Sequence, residues 1–303
     1  MLSETLGELY PIREYESIGR LIAEAVTGLS WIRIRIDKDY LFTADQENRI
    51  RSIIARLKIR EPIQYILGET EFCGLKLKVR PGVLIPRGET EELVEWILES
   101  KGPTGIRAYG HAGLRMLDIG CGSGAIAIAL AKSLPDAEIA AADIAQEALS
   151  LTQENAVLNE VIISISYFDI LTPTPTLTLT PSSPQAPRFR GVNSMPASPQ
   201  ARFDVIVSNP PYIPEAEKGA MSSHVVDYEP ASALFVPDDD PLIFYRAIAE
   251  YAIEHLKPGG QVYVEIHDRL GPETESLFNP YFKKVELRKD IHGKDRMIRA
   301  YNG

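Results

Sequence analysis

Leu114-Arg-Met-Leu-Asp-Ile-Gly-Cys-Gly-Ser-Gly124 is where an apolar run breaks into a glycine-rich bend. Leu114 to Ile119 reads as a buried strand, and Ala125 to Leu134 beyond the bend reads as a helix. Downstream the alternation repeats. A strand from Glu138 to Ala142 ends at Asp143, a helix covers about Gln146 to Leu158, and Val161 to Tyr167 is a third strand ending at Asp169. Val205 to Val207 is a further buried strand, and it stops abruptly at Asn209-Pro210-Pro211-Tyr212. A helix from Leu242 to Leu256 then precedes Gly259-Gly260 and a strand from Gln261 to Ile266. Lys284 to Lys289 and Arg296 to Tyr301 read as a closing hairpin around His292-Gly293. This order predicts an α/β fold. Its sheet is open and mainly parallel, covered by helices on both faces, with one antiparallel strand near an edge.

Upstream of the bend the pattern is helical. Ile18, Leu21, Ile22, Ala25 and Val26 recur at helical spacing and stop at Gly28. Thr43-Ala-Asp-Gln46 opens a second helix with a capping box, and Pro62 opens a short one that ends at Gly68. This small bundle serves either as a docking module or as packing for the larger domain. Phe72 to Val79 reads as a strand, turned by Pro81-Gly82 into a returning partner, Val83 to Pro86. Arg87 and Glu89 to Glu91 follow, either facing the site from above or forming a solvated helix start. The expected division is therefore a helical domain at 1–69, a β-hairpin linker at 70–88 and the main domain at 89–303. Residues 172–200 hold seven of the 22 prolines and no acidic residue. They read as a flexible or polyproline-like excursion with no catalytic part, although a partner contact there stays open.

The 303 residues carry a formal charge of −10, unevenly spread. Residues 1–85 hold 13 basic and 12 acidic side chains, so the remainder holds −11. An acidic main domain repels a nucleic-acid backbone, and no direct nucleic-acid partner is expected. No apolar run approaches the roughly 18 residues that span a bilayer, so no membrane partner is expected either. The acidic start lacks the basic and apolar regions of a signal peptide. Two cysteines, Cys73 and Cys121, are too few for a disulfide framework, which points to a reducing cytoplasm. The five histidines show no metal-ligand spacing, and no metal is expected.

Glycines at the strand-to-helix junction permit positive φ and let a ligand approach the backbone closely. Asp143, ending the next strand, is placed to accept ribose hydroxyls, while Asp169 or its neighbours Phe168 and Ile170 line a base pocket. Taken alone, these features fit NAD and S-adenosylmethionine equally well. The Asn-Pro-Pro-Tyr end decides between them. Two prolines cannot continue a sheet, so the chain leaves the strand with carbonyls that have no local donor. The Asn209 side-chain oxygen and the Pro210 carbonyl can accept both N–H bonds of a planar NH₂ group, and Tyr212 can stack on that group. Such a nitrogen is a poor nucleophile because its lone pair is delocalised. Alignment toward a methyl sulfonium, with acceptors aimed at a nitrogen turning positive, supplies the rate without a strong base.

With these motifs in place the chain resembles the class I S-adenosylmethionine-dependent methyltransferases, with their Rossmann-like sheet. More narrowly, it resembles the HemK/PrmC family of peptide chain release factor N5-glutamine methyltransferases. The segments that carry the narrower resemblance are Arg60-Glu-Pro-Ile-Gln-Tyr-Ile-Leu-Gly68, Val83-Leu-Ile-Pro-Arg87 with Glu89-Thr-Glu91, Tyr228-Glu-Pro230, Leu256-Lys-Pro-Gly-Gly260 and Gly293-Lys-Asp-Arg296. The resemblance implies that Asp118, Gly120, Cys121, Gly122, Ser123, Gly124, Asp143, Asp169, Ile170 and Asn209 bind S-adenosylmethionine. It further implies that Asn209, Pro210, Pro211 and Tyr212 hold the glutamine of a Gly-Gly-Gln loop and carry catalysis. It makes 89–303 a methyltransferase domain and class 1 release factors the partners, docked partly by the helical domain. The protein is expected to act as a monomer. Gly88 stands where the family usually has a second proline, and Ile170 where an aromatic can cover adenine. The rival readings are an N6-adenine or N2-guanine nucleic-acid methyltransferase, a non-catalytic release-factor binder, and a nicotinamide-dependent oxidoreductase.

Overall fold

The computed structural model describes residues 7, 9–37, 40–100, 113–172, 180–181 and 202–303. By compactness the chain divides into two units, one of 1–69 with 222–228, the other of 70–221 with 229–303.

The smaller unit is helical. It contains α1 (Ile12–Thr27), α2 (Trp31–Ile36), α3 (Ala44–Lys58) and α4 (Ile63–Leu67). Ile18, Ile22 and Val26 of α1 meet Ile53, Ile54 and Leu57 of α3, with Tyr10 and Ile63 closing the cluster. Each such side chain contributes about 1.5–3 kcal/mol on full burial. The expected capping box is present: Thr43 Oγ1 accepts from the Gln46 amide at 3.3 Å, and Gln46 Oε1 accepts from the Thr43 amide at 2.9 Å. Within the same unit the Tyr228 hydroxyl donates to the Ile59 carbonyl at 2.6 Å. α2, rich in β-branched isoleucine and arginine, has no buried residue and carried no clear helical stripe in the sequence.

In the larger unit β1 (Glu69–Phe72) pairs with β2 (Leu75–Lys78). This corrects the expected hairpin. Cys73 and Gly74, at φ 49° and 71°, turn the chain inside the supposed single strand. Val83 to Pro86 is not a strand; the amide of Ile85 donates to the Glu229 carboxylate at 3.2 Å. Then come α5 (Gly88–Glu99), β3 (Arg115–Ile119), α6 (Ala125–Ser133), β4 (Glu138–Asp143), α7 (Gln146–Leu158), β5 (Ser164–Tyr167), β6 (Thr180–Pro181) and β7 (Phe203–Ser208). The chain closes with a short pair, β8 (Ile213–Pro214) and β9 (Phe235–Val236), then α8 (Ile243–His255), β10 (Leu256–Glu265), α9 (Gly271–Phe278), β11 (Lys284–Lys289) and β12 (Asp295–Tyr301).

The main sheet runs β11-β12-β10-β7-β3-β4-β5-β6. β10, β7, β3, β4 and β5 are parallel, and β12 lies antiparallel between β10 and β11. Phe203, Val205, Ile206 and Val207 of β7 are all buried, as a strand covered on both faces requires. The order reverses between β3 and β7, and the crevice beyond the carboxyl ends of those strands is where such sheets bind ligands.

Two further corrections concern the sheet. Gly259-Gly260, expected ahead of a strand starting at Gln261, lies inside β10, whose register shifts between Leu256 and Gln261. A Cβ on Gly260 would stand 2.9 Å from the Phe203 carbonyl, so the neighbouring backbone demands glycine. Thr180–Pro181, inside the segment expected to be a loose excursion, pairs antiparallel with Ser164–Ile165 at the sheet edge. Proline is tolerated there because an edge position leaves its missing N–H without a ladder to serve. The rest of the 172–200 expectation beyond Thr172 lies outside the described residues.

Candidate active site

The glycine bend hangs from the ends of β3 and β4. The amides of Gly120 and Cys121 both donate to the Ala142 carbonyl (2.8 and 3.0 Å), and the Gly124 amide donates to Cys121 (2.8 Å). Gly122 donates to Asp143 Oδ2 at 2.9 Å, while Asp143 Oδ1 accepts from Ala145 at 2.8 Å. Asp118 Oδ2 accepts from the Ala127 amide at 3.2 Å, inside the first turn of α6. Asp143 thus occupies the Gly122 amide, a donor that an anion-binding bend would offer. A pyrophosphate would meet negative charge here, whereas a cationic ligand would be favoured. Burial pushes the Asp118 carboxyl up to about 7, against the Ala127 bond and with some help from Asp143. Burial also raises Asp143, opposed by its backbone bonds to Ala145 and Gly122. The Cys121 thiol is raised by burial and by the same two aspartates, and is no ready nucleophile.

A cavity of about 300 Å³ opens above the bend. Gly120, Cys121, Gly122 and Ser123 form its floor beside Asp143, and Asp169 and Ile170 lie on its wall with Ile144, Phe168 and Leu171. The apolar members make a slot for a flat ring. Asp169 Oδ1 accepts from the Leu171 amide at 2.9 Å and so fixes that turn.

Asn209, Pro210 and Pro211 reach the same cavity from the end of β7. Ser208 Oγ donates to the Ile119 carbonyl at 2.6 Å, locking this strand end to β3. Asn209 Nδ2 donates to Thr90 Oγ1 at 3.1 Å. Among the described residues nothing donates to Asn209 Oδ1 or to the Pro210 carbonyl. The arrangement offers two oxygen acceptors at the rim of a cavity floored by a glycine bend.

Three predicted residues are not in the lining. Asp118 lies beneath the bend, 1% exposed, holding α6. Gly124 is pressed against α7, where a Cβ would sit 2.9 Å from Thr152 Cγ2. Tyr212 turns from the cavity: its hydroxyl donates to Glu265 Oε1 at 3.1 Å and its ring meets His267 edge-on at 6.0 Å between centroids. The stacking face expected of Tyr212 is therefore taken by neighbouring side chains, because the chain turns at Tyr212 and Ile213 to bond the Leu234 carbonyl.

In the sequence, Thr90 and Glu229 appear only within Glu89-Thr-Glu91 and Tyr228-Glu-Pro230, with no role assigned, and Glu265 is not singled out. Thr90 sits within the Glu89–Glu91 stretch whose acids drew attention, yet the threonine is the residue that reaches the cavity. Arg87 instead pairs with Glu229, and Glu91 accepts from the Cys73 amide at 2.8 Å. Among the described residues there is no group of His, Cys, Asp and Glu able to hold a metal, and no helix long and apolar enough to cross a membrane.

Two family profiles match the chain: PrmC N-terminal domain over residues 2–68, and Methyltransferase small domain over residues 108–179. Curated relatives match nearly end to end. A release factor glutamine methyltransferase of Flavobacterium psychrophilum is 41% identical over 98% of this chain and 95% of the relative. One from Bacteroides thetaiotaomicron is 40% identical over 99% and 97%, and one from Lactococcus lactis is 39% identical over 94% and 92%.

Proposed function

The chain belongs to the release factor glutamine methyltransferase family, and from this we infer that it methylates the side-chain amide N5 of the glutamine in the Gly-Gly-Gln motif of peptide chain release factors. The observation that carries this is identity of about two residues in five along the full length of relatives bearing that activity in their names.

The cofactor is S-adenosyl-L-methionine, which supplies a methyl carbon on a cationic sulfur. The residues present fit it: Asp143 on the Gly122 amide would favour a cation over an anion and stands at the end of β4 for ribose hydroxyls, and the Phe168–Leu171 wall suits the base. Asn209 Oδ1 and the Pro210 carbonyl would accept the two N–H bonds of the substrate amide and so orient its nitrogen within the cavity. Both oxygens would stabilise positive charge on that nitrogen, so that its proton could pass to water. No strong base is needed.

The Asp143 carboxylate on the Gly122 amide counts against a pyrophosphate there and hence against a dinucleotide-dependent oxidoreductase. The net charge of −10 counts against nucleic acid as substrate. We further propose that the protein works in the cytoplasm as a monomer, without membrane contact, and that residues 1–69 dock the release factor while 89–303 carry the chemistry. The deciding experiment incubates the protein with labelled S-adenosylmethionine and either a release factor or nucleic acid, then maps the label by mass spectrometry. Label on the Gly-Gly-Gln glutamine is the expected result, and label on nucleic acid alone overturns the reading.

A further inference from the structure

Behind the cavity a buried polar chain ends on Asn209. Glu265, 1% exposed at the end of β10, accepts from Thr90 Oγ1 at 2.6 Å through Oε2 and from the Tyr212 hydroxyl at 3.1 Å through Oε1. Thr90, 4% exposed near the start of α5, in turn accepts from Asn209 Nδ2 at 3.1 Å. Thr90 lies 175 positions from Glu265 and 119 from Asn209, so the chain is assembled only by the fold.

We propose that Glu265 is a positioning residue that sets, through Thr90, which end of the Asn209 amide faces the substrate. The proposal rests on the methyl-transfer reading above and adds to it the device that keeps the acceptor pointing outward. An ionised carboxylate only accepts hydrogen bonds, and a hydroxyl has a single proton. With Glu265 holding that proton, Thr90 presents only lone pairs to Asn209. The amide must therefore turn its NH₂ inward and its oxygen outward. Either orientation of an asparagine amide has nearly the same shape, so its partners decide between them. The inverted amide would present N–H groups to the N–H groups of a substrate amide, leaving donor against donor.

Burial, with Glu89, raises the Glu265 carboxyl against its bonds to Thr90 and Tyr212 and the charge of Arg296; its part as acceptor rests on geometry, two hydroxyls at 2.6 and 3.1 Å each donating to one of its oxygens. Tyr212 thus acquires a part other than stacking: its hydroxyl satisfies the second Glu265 oxygen and keeps the carboxylate from turning.

The test uses the full chain in four forms: wild type, Thr90→Val, Thr90→Ser and Glu265→Gln. Each is assayed for kcat and KM with a release factor and for S-adenosylhomocysteine affinity by calorimetry. Thr90→Val and Glu265→Gln, both close to isosteric, are expected to lower kcat tenfold or more with the affinity within about twofold. Thr90→Ser, which restores the hydroxyl, is expected to stay within about threefold of wild type. Glu265→Gln is then repeated in an Asn209→Asp background, where both terminal atoms accept and no wrong orientation exists. There its cost is expected to shrink to less than about twofold, a coupling that a merely structural role would not produce. A separate readout is the nitrogen-15 side-chain amide resonance of Asn209, identified by its loss in Asn209→Asp. It is expected to shift in Thr90→Val and Glu265→Gln and to stay in Thr90→Ser. An unshifted resonance, or a Glu265→Gln loss undiminished in the Asn209→Asp background, overturns the proposal. If wild type leaves release factors unmethylated, the functional reading fails by itself, and the resonance alone still decides the orientation question.

Discussion

Arg87 and Glu229, 142 positions apart, form an ion pair in which the glutamate side chain is 1% exposed and the arginine 36%. The second Glu229 oxygen accepts from the Ile85 amide at 3.2 Å. One carboxylate therefore fixes the stretch that leads into Thr90 and α5. Replacing it with alanine leaves a buried N–H and a charge without partners. A fully buried pair so broken costs roughly 3–5 kcal/mol, and the partial solvation of Arg87 reduces this to about 2–3. Glu229→Ala should lower Tm by about 3–5 °C in a thermal melt.

Asn209→Ala removes one of the two acceptors aimed at the substrate amide and leaves the bend and slot untouched. Turnover on a release factor is expected to fall about 10²-fold or more, with S-adenosylhomocysteine affinity nearly unchanged. Single-turnover kinetics beside calorimetry separates the two quantities, and equal turnover in the variant would falsify the assigned role.

Asp118 makes stability depend on pH in the donor-free protein. Burial lifts its carboxyl from 3.8 to about 7, so the folded chain retains a proton that the unfolded chain has already released. The contribution of Asp118 is then fully present below about pH 4 and is lost as pH rises toward 7, by up to about 4 kcal/mol over that window. Asp118→Asn keeps an acceptor for the Ala127 amide and removes the titration. Thermal melts from pH 5 to pH 8 should show the variant gaining on wild type as pH rises; parallel curves would contradict this account.

Gly124, at φ +80°, opens α6 against Thr152 and Ile128. An alanine there incurs about 1–2 kcal/mol for the left-handed backbone and about 1–3 for the contact at 2.9 Å. Gly124→Ala should therefore lower Tm clearly. Adding Thr152→Ser, which deletes the offending methyl but keeps the hydroxyl bonded to the Gly122 carbonyl, should recover part of the loss and leave the backbone share.

The parallel core was legible because each strand is a short apolar run ending in a chemically distinct residue: Ile119 before the glycines, Asp143, and Ser208 before Asn-Pro-Pro. Gln146–Leu158 falls where the helical spacing put it. What escaped notice depends on contacts far apart in the chain. Nothing local marks Thr90 as the partner of Asn209, or Glu265 and Glu229 as buried acids, since a lone acid in a strand or loop looks solvated until the fold surrounds it. The direction of Tyr212 was also beyond reach, because a turn next to two prolines can send an aromatic ring either way. The misplaced hairpin has a simpler cause. Pro81-Gly82 is a strong turn signal, yet Cys73-Gly74 turned the chain first, with a non-glycine residue at φ 49° that no pattern announces.

The hydroxyl of Tyr228 reaches the Ile59 carbonyl from 169 positions away, and the segment 222–228 belongs to the helical unit. On a ribosome moving at roughly 5–20 residues per second, the four N-terminal helices emerge some 10–30 s before that last strut exists. A fragment ending at residue 69 reproduces the nascent state rather than the finished one. An expression fragment meant to isolate the helical unit therefore has to supply 222–228 as well, by a grafted linker or a co-expressed peptide.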